Sequence, residues 1–212
     1  MTALKFWGWG REGEGLTTAE ADQLAATYAE RFGIPSSSPV PVPQASEISL
    51  RAPRLAPSGA VAAFTTSDHF ERLLHSYGKS FFDSARAFAR DFANPPDAVA
   101  IPRDEAEVVA ALDWCDQHRA IAIPFGAGSS VVGGIEPPAG ERPVVSIDLR
   151  NLGRVLEIDA QSETARIQGG IYGPALEQQL RSSGLTLRHF PQSFEYSTLG
   201  GWIATRDRKS VV

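Results

Sequence analysis

Residues 191–206 read Pro-Gln-Ser-Phe-Glu-Tyr-Ser-Thr-Leu-Gly-Gly-Trp-Ile-Ala-Thr-Arg, the stretch that most restricts what this chain can fold into. Ser193, Ser197, Thr198, Gly200, Gly201 and Thr205 gather hydroxyls and bare backbone in one short run behind an apolar segment. Glycine has no side chain to hold a ligand off, so main chain and hydroxyls can approach one closely. A fold containing such a run has to deliver it to a ligand. The six residues after it, Asp207-Arg-Lys-Ser-Val-Val212, share none of this character.

An earlier run has the same make-up. Pro124-Phe-Gly-Ala-Gly-Ser-Ser-Val-Val-Gly-Gly134 lies between two apolar strand candidates. Consecutive backbone N–H groups in such a loop can turn toward an anion and form a nest for phosphate oxygens. A Walker loop needs Lys followed by Ser or Thr after its last glycine, and there is none. The dinucleotide fingerprint G-x-G-x-x-G fits at Gly126 and Gly128, but its third position is Val131 and no helix follows. Read alone, the loop is either a Gly-Ser turn between strands or a phosphate nest. Two small-residue loops, each behind a buried strand, point to a dinucleotide held mainly by backbone and hydroxyls.

The surrounding pattern is mixed. Residues 17–33 predict a short helix, with Thr17 or Thr18 as its cap and Leu24, Ala25, Tyr28 and Phe32 near helical spacing. Four prolines in Pro35–Pro43 read as a semi-rigid connector. A second helix is expected from about Asp68 to Phe92, its aromatic residues serving as packing surface. From residue 94 the rhythm becomes strand Ala98–Ile101, helix Glu105–His118 with Asp104 near its start, strand Ala120–Pro124, and strand Val144–Leu149. A hairpin over 154–159 and 164–168 follows, then a helix opened by Gly173-Pro174 and closed by Gly184, and a last strand over 185–190. The class is α+β.

Composition narrows the partners. Against 25 Asp and Glu the chain has 20 Lys and Arg, a net −5, which speaks against nucleic acid or an anionic membrane surface. No run of about 18 apolar residues suggests a spanning helix. The first ten residues lack the apolar core of a signal peptide. Cys115, the single cysteine, falls in a helical pattern as an apolar filler, which agrees with a reducing, cytoplasmic setting. His69, His75 and His118 read as surface or satisfied core residues, and His189 alone borders a candidate site.

Pro124-Phe-Gly-Ala-Gly-Ser-Ser-Val131, the 191–206 run, and Lys5-Phe-Trp-Gly-Trp-Gly10 together resemble the vanillyl-alcohol-oxidase superfamily, whose FAD domain is of the p-cresol methylhydroxylase (PCMH) type. Within it the likeness is to the alkyldihydroxyacetonephosphate synthases and their bacterial FAD-linked relatives, where a Lys-x-x-Gly-Trp-Gly element also precedes the FAD domain. The resemblance implies a helical N-terminal extension over 1–93 with its connector at 35–43. A two-lobed FAD domain over 94–206 would follow, with the first lobe and only the start of the second.

The first loop, Pro124, Phe125, Gly126, Ala127, Gly128, Ser129, Ser130 and Val131, would hold the FAD pyrophosphate. Pro191, Gln192, Ser193, Ser197, Thr198, Gly200, Gly201 and Thr205 would line the phosphate–ribityl and flavin side. Gln192 stands where the subgroup often has Asp. Ser129-Ser130 stand where several relatives carry a flavin-linking histidine, so FAD is expected to be non-covalent.

The activity implied is exchange of the acyl group of an acyl-dihydroxyacetone phosphate for a long-chain alcohol, a step of ether-lipid synthesis without net redox change. The alternatives are an FAD-dependent oxidoreductase of a 2-hydroxy acid such as lactate or glycolate, and a non-catalytic nucleotide-binding module. A small-molecule or lipid-like substrate and a homodimer belong to the same expectation. The family's catalytic tyrosine and histidines lie in later parts, so no catalytic residue and no metal ligand is assigned. Residues 207–212 match the translation of a sequencing adapter. The native sequence is therefore expected to end near Arg206, and the chain alone to be inactive and poorly soluble.

Overall fold

Thr17 sets the start of the first helix. Its hydroxyl accepts from Glu20 N–H while the Glu20 carboxylate accepts from Thr17 N–H, a reciprocal cap that fixes α1 at Thr18–Phe32, and Gly33 ends it in the left-handed region. The structure, a computed structural model, describes residues 3–207. The expected connector at 35–43 carries no regular element. Thereafter come β1 (Thr65–Thr66), α2 (His69–Leu74), α3 (Phe81–Phe88), β2 (Ala98–Ala100), α4 (Glu105–Gln117), β3 (Ile121–Phe125), β4 (Val144–Asp148), β5 (Val155–Asp159), β6 (Thr164–Ile167), α5 (Gly173–Arg181) and α6 (Leu199–Thr205).

One sheet has the order β1-β2-β4-β3, with β1 antiparallel and the other neighbours parallel. β4 lies inside it and is buried at all five positions, Ser146 and Asp148 included. β3 is an edge strand, which is why Pro124 is tolerated there. α4, capped by Asp104, lays Ala111, Trp114 and Cys115 on Ala98, Ala100, Val145 and Ile147. Cys115 is buried and burial pushes its thiol up to about 11, so it acts as the apolar filler expected. A second cluster gathers Phe6, Ile48, Leu73, Leu74, Tyr77, Ala87 and Phe92. A third packs Ile171, Leu176, Leu180 and Trp202 under the β5–β6 hairpin.

Three sequence expectations need correction. The helix over 68–92 is two helices, because Ser80 and Asp83 form a fresh reciprocal cap that restarts the chain as α3. The strand over 185–190 does not form. Glu177 Oε1 takes the Leu187 N–H at 3.0 Å, Thr186 Oγ1 takes the Arg188 N–H at 3.2 Å, and Arg188 has φ 57°, so the backbone is neither extended nor free to pair. The second small-residue segment is not a loop throughout. From Leu199 it is helix α6, seated by the Gly200 N–H donating to Gly169 O at 2.8 Å and by buried Trp202. Residues 208–212 of the expected tail lie outside the described residues. Asp207 continues the α6 cap, its N–H donating to Trp202 O at 2.8 Å.

Candidate functional site

The first loop leaves β3 at Phe125 and is held from beneath. The buried Phe125 ring lies 4.0 Å, centroid to centroid, from the His75 ring at 44°. His75 is itself fully buried, with Nε2 2.9 Å from Asp148 Oδ2 and Nδ1 2.7 Å from Glu71 O. Arg150 completes the set: its Nε donates to Asp148 at 2.7 Å and its Nη atoms to the Glu71 carboxylate at 3.0 and 2.8 Å. Burial works against ionising Asp148, but the His75 and Arg150 hydrogen bonds outweigh it and hold the carboxyl below its usual range. Gly128 has φ +70° and a methyl placed on it would lie 2.6 Å from the Phe125 ring, so the loop folds over that ring only with glycine here.

The loop's far end is tied to the α2–α3 connection, where the Lys79 N–H donates to Ser130 O at 2.7 Å. Ser130 Oγ accepts from the Gly134 N–H at 2.9 Å and, more weakly, from Val132 at 3.4 Å, so this hydroxyl shapes the loop. Between these two anchors, none of the N–H groups of Gly126 to Val131 has a protein acceptor among the described residues, although Ala127 and Gly128 are buried. Unpaired buried N–H groups are rare in folded chains, and a consecutive run of them is the donor set an anion takes.

The two sequence-predicted segments meet at one point. A methyl placed on Gly126 would stand 2.2 Å from Thr198 Oγ1, so this glycine lets the first loop lie directly on the second segment. Thr198 is buried, pairs with Tyr172 across a short antiparallel bridge, and its hydroxyl has no partner among the described residues. Gly201 lies beside it: a methyl there would be 3.5 Å from the same oxygen.

The other predicted residues serve elsewhere. Pro124 is exposed on the sheet edge and Val131 is exposed on the loop. Ser129 is half-buried in the loop, and Pro191 is buried while Gln192 points to solvent. The Ser197 hydroxyl donates to Ser193 O and accepts from Trp202 Nε1, both at 2.7 Å, which builds the turn into α6. Gly200 packs on Gly169, and the Thr205 hydroxyl donates to Gly201 O at 2.9 Å at the far end of the helix.

His189 lies by that end, with Nε2 3.1 Å from Asp207 Oδ2 in a cleft of about 330 Å³ lined also by Trp202 and Ile203. Asp148 and Lys79 were not singled out in the sequence, and His75, read there as a surface or satisfied core residue, is a satisfied core residue. His75 and Asp148 are 73 residues apart and nothing local connects them.

For FAD the donor set fits. The free N–H run suits a pyrophosphate, the Thr198 hydroxyl is an unused donor beside it, and the absence of side chains at Gly126 and Gly128 leaves the backbone approachable. Residues 96–208 match the FAD binding domain family, and the chain belongs to it. Its fold is the mixed helix-and-sheet PCMH-type domain and its cofactor is FAD.

Among known proteins, the chain is 44% identical over 138 residues to the alkyldihydroxyacetonephosphate synthase of Dictyostelium discoideum, covering 65% of this chain and 23% of that one. A solved alkyldihydroxyacetonephosphate synthase superposes with a TM-score of 0.83 at 32% identity, over 95% of this chain and 43% of the other. Glycolate oxidase subunit GlcD of Bacillus subtilis is 31% identical over 144 residues, 64% of this chain and 30% of that protein. The chain thus spans less than half the length of the relatives it matches. Among the described residues no helix is long and apolar enough to cross a membrane.

Proposed function

We propose that this chain is the FAD-holding part of an enzyme of the alkyldihydroxyacetonephosphate synthase type. The observation that carries the reading is the contact of Gly126 with Thr198, which joins a run of unpaired N–H groups to an unused hydroxyl. Gly126 to Ser129 hold the pyrophosphate through their N–H groups, and Thr198 and Gly201 line the adjoining stretch of the cofactor. FAD is bound non-covalently, since serines occupy the positions where a linking histidine would stand. When bound, FAD supplies a ring system able to take up and return an electron pair. The protein's part at this end is to orient the cofactor and keep its phosphates out of bulk water.

Residues 94–206 act as the cofactor domain and 1–93 as an extension that braces it. The substrates are an acyl-dihydroxyacetone phosphate and a long-chain alcohol, exchanged without net redox change. Cytoplasmic location, a homodimeric assembly and inactivity of the chain by itself belong to the same proposal. The synthase reading is favoured over a lactate- or glycolate-type oxidoreductase because the structural likeness extends over 95% of the chain and so reaches well into the residues before the matched FAD domain at 96–208.

Purified full-length protein should be yellow and should release FAD on denaturation. Incorporation of a labelled alcohol into acyl-dihydroxyacetone phosphate is the expected activity. Bleaching by D-lactate or glycolate without alcohol exchange favours the oxidoreductase, and a colourless protein that takes up no FAD defeats both enzyme readings.

A further inference from the structure

The element Lys5-Phe-Trp-Gly-Trp-Gly10 has no part in the cofactor reading, yet it reaches both cofactor segments. The Lys5 N–H donates to Gly10 O at 3.1 Å and the Glu12 N–H to Ala3 O at 2.9 Å, which folds residues 3–12 back on themselves. Phe6 anchors this loop in the core, edge-on to Phe70 and Phe92 at 6.1 and 5.9 Å, and Trp7 stands edge-on to Phe88 at 5.5 Å.

Trp9 faces the cofactor segments. Its Nε1–H donates to Lys79 O at 3.0 Å, and the N–H of the same Lys79 donates to Ser130 O in the first loop. Its ring meets Tyr196 of the second segment at 73°, with centroids 6.3 Å apart. The Lys79 ammonium closes the circuit by donating to Lys5 O at 2.7 Å. Trp9, Lys79, Ala127 and Tyr196 border one cavity of about 10 Å³, room for a single water at most, so these groups pack on one another and leave no ligand space between them.

We propose that residues 3–12 form a strap that holds the two FAD segments in register, with Trp9 as a positioning residue that acts on the first loop through Lys79 and Ser130. The argument is one of ordering. Residue 79 is gripped on both of its peptide groups, its N–H by Ser130 and its carbonyl by Trp9, so the loop's far end is fixed before any ligand arrives. Without Trp9, FAD would have to order that end itself, and the cost would appear as lost affinity. Coupling between two sites is reciprocal, so FAD must in turn steady the strap.

This inference rests on the FAD reading, and the test separates the two. In the full-length protein, FAD affinity is measured by flavin-fluorescence titration, and amide exchange is followed at Lys5 and Glu12 with and without FAD. Trp9→Ala removes one hydrogen bond and one ring contact, and about tenfold weaker binding is expected. Trp9→Phe keeps the ring contact and should recover part of the loss, to about threefold. In the unaltered protein, exchange at Lys5 and Glu12 should slow when FAD binds. Wild-type affinity in Trp9→Ala overturns the strap while leaving the FAD reading intact. Should Trp9→Ala fail to fold, the exchange experiment decides, and unchanged exchange on FAD binding overturns the strap. A wild-type protein that takes up no FAD overturns both.

Discussion

The four-stranded sheet and the lobe on the β5–β6 hairpin meet where Gly126 lies on Thr198, but different forces hold them. The central strand of the sheet is buried throughout, and a buried carboxylate closes each end of its parallel part. Asp97, just before β2, accepts from Arg51, from Arg54 and from the Val144 N–H at 2.8 Å. Asp148, at the end of β4, is held by His75 and Arg150. β5 and β6 are largely exposed, and their lobe meets the sheet by backbone. The Gly170 N–H donates to Leu152 O at 2.9 Å, and a methyl on Gly170 would fall 1.8 Å from Leu149 O. The loop after β3 is therefore fixed by charge and the 191–206 segment by shape. Charge substitutions should damage one side and added volume the other.

The largest effect is expected from Asp97→Ala. It leaves two arginines and the Val144 N–H without their acceptor. Because both arginine side chains keep partial access to water, the loss should be about 3 kcal/mol in denaturant unfolding, short of that for a fully buried pair. A near-silent Asp97→Ala would remove charge as the force holding the sheet. Gly170→Ala comes next at about 2 to 3 kcal/mol, since backbone carbonyls cannot move aside as a side-chain tip can. Its loss should not depend on pH.

His75→Phe should cost about 1 to 2 kcal/mol in denaturant unfolding, because it keeps a ring beneath Phe125 but leaves Asp148 with Arg150 alone.

Acid sharpens the contrast further. Burial raises Asp97, but the hydrogen bonds from Arg54, Arg51 and two backbone N–H groups outweigh it, so both Asp97 and Asp148 ionise below their ordinary range. Their contribution is present above the unfolded pKa of about 4 and is lost as pH falls below it. The melting temperature should begin to drop at about pH 5 and go on dropping below about pH 3, and Asp97→Asn should flatten that limb. The smallest expected effect is at Cys115. Its thiol is buried and raised to about 11, so it should resist a disulfide reagent at pH 8 until the protein unfolds.

What could be read from the sequence was whatever local chemistry decides. A capping Thr17 or Thr18 placed the start of α1, Asp104 that of α4, and Gly173-Pro174 that of α5, which ends at Arg181, three residues short of Gly184. The two glycine- and hydroxyl-rich segments stood out as candidates, but the sequence did not separate Gly126 and Thr198, which meet, from Ser130, Ser197, Gly200 and Thr205, which build the turns and helix around them. Residues whose partners are distant were not legible. His75 takes its meaning from Asp148 and Phe125, and residues 185–190 look like a strand until Glu177, on α5, claims the Leu187 N–H. Helix α6 was hidden for a related reason: Gly200-Gly201 disfavours helix, and the Gly169 contact and Trp202 override that preference.

The central claim is that Gly126 and Thr198 join the two segments into one FAD cradle. FAD titration of the full-length protein against its Gly126→Val variant, with the melting temperature of each apoprotein alongside, tests it most directly. The contact of 2.2 Å that a methyl would make with Thr198 Oγ1 predicts at least about a hundredfold loss of FAD affinity, beyond any shift in melting temperature. A Gly126→Val protein that binds FAD as tightly as the wild type would contradict the account.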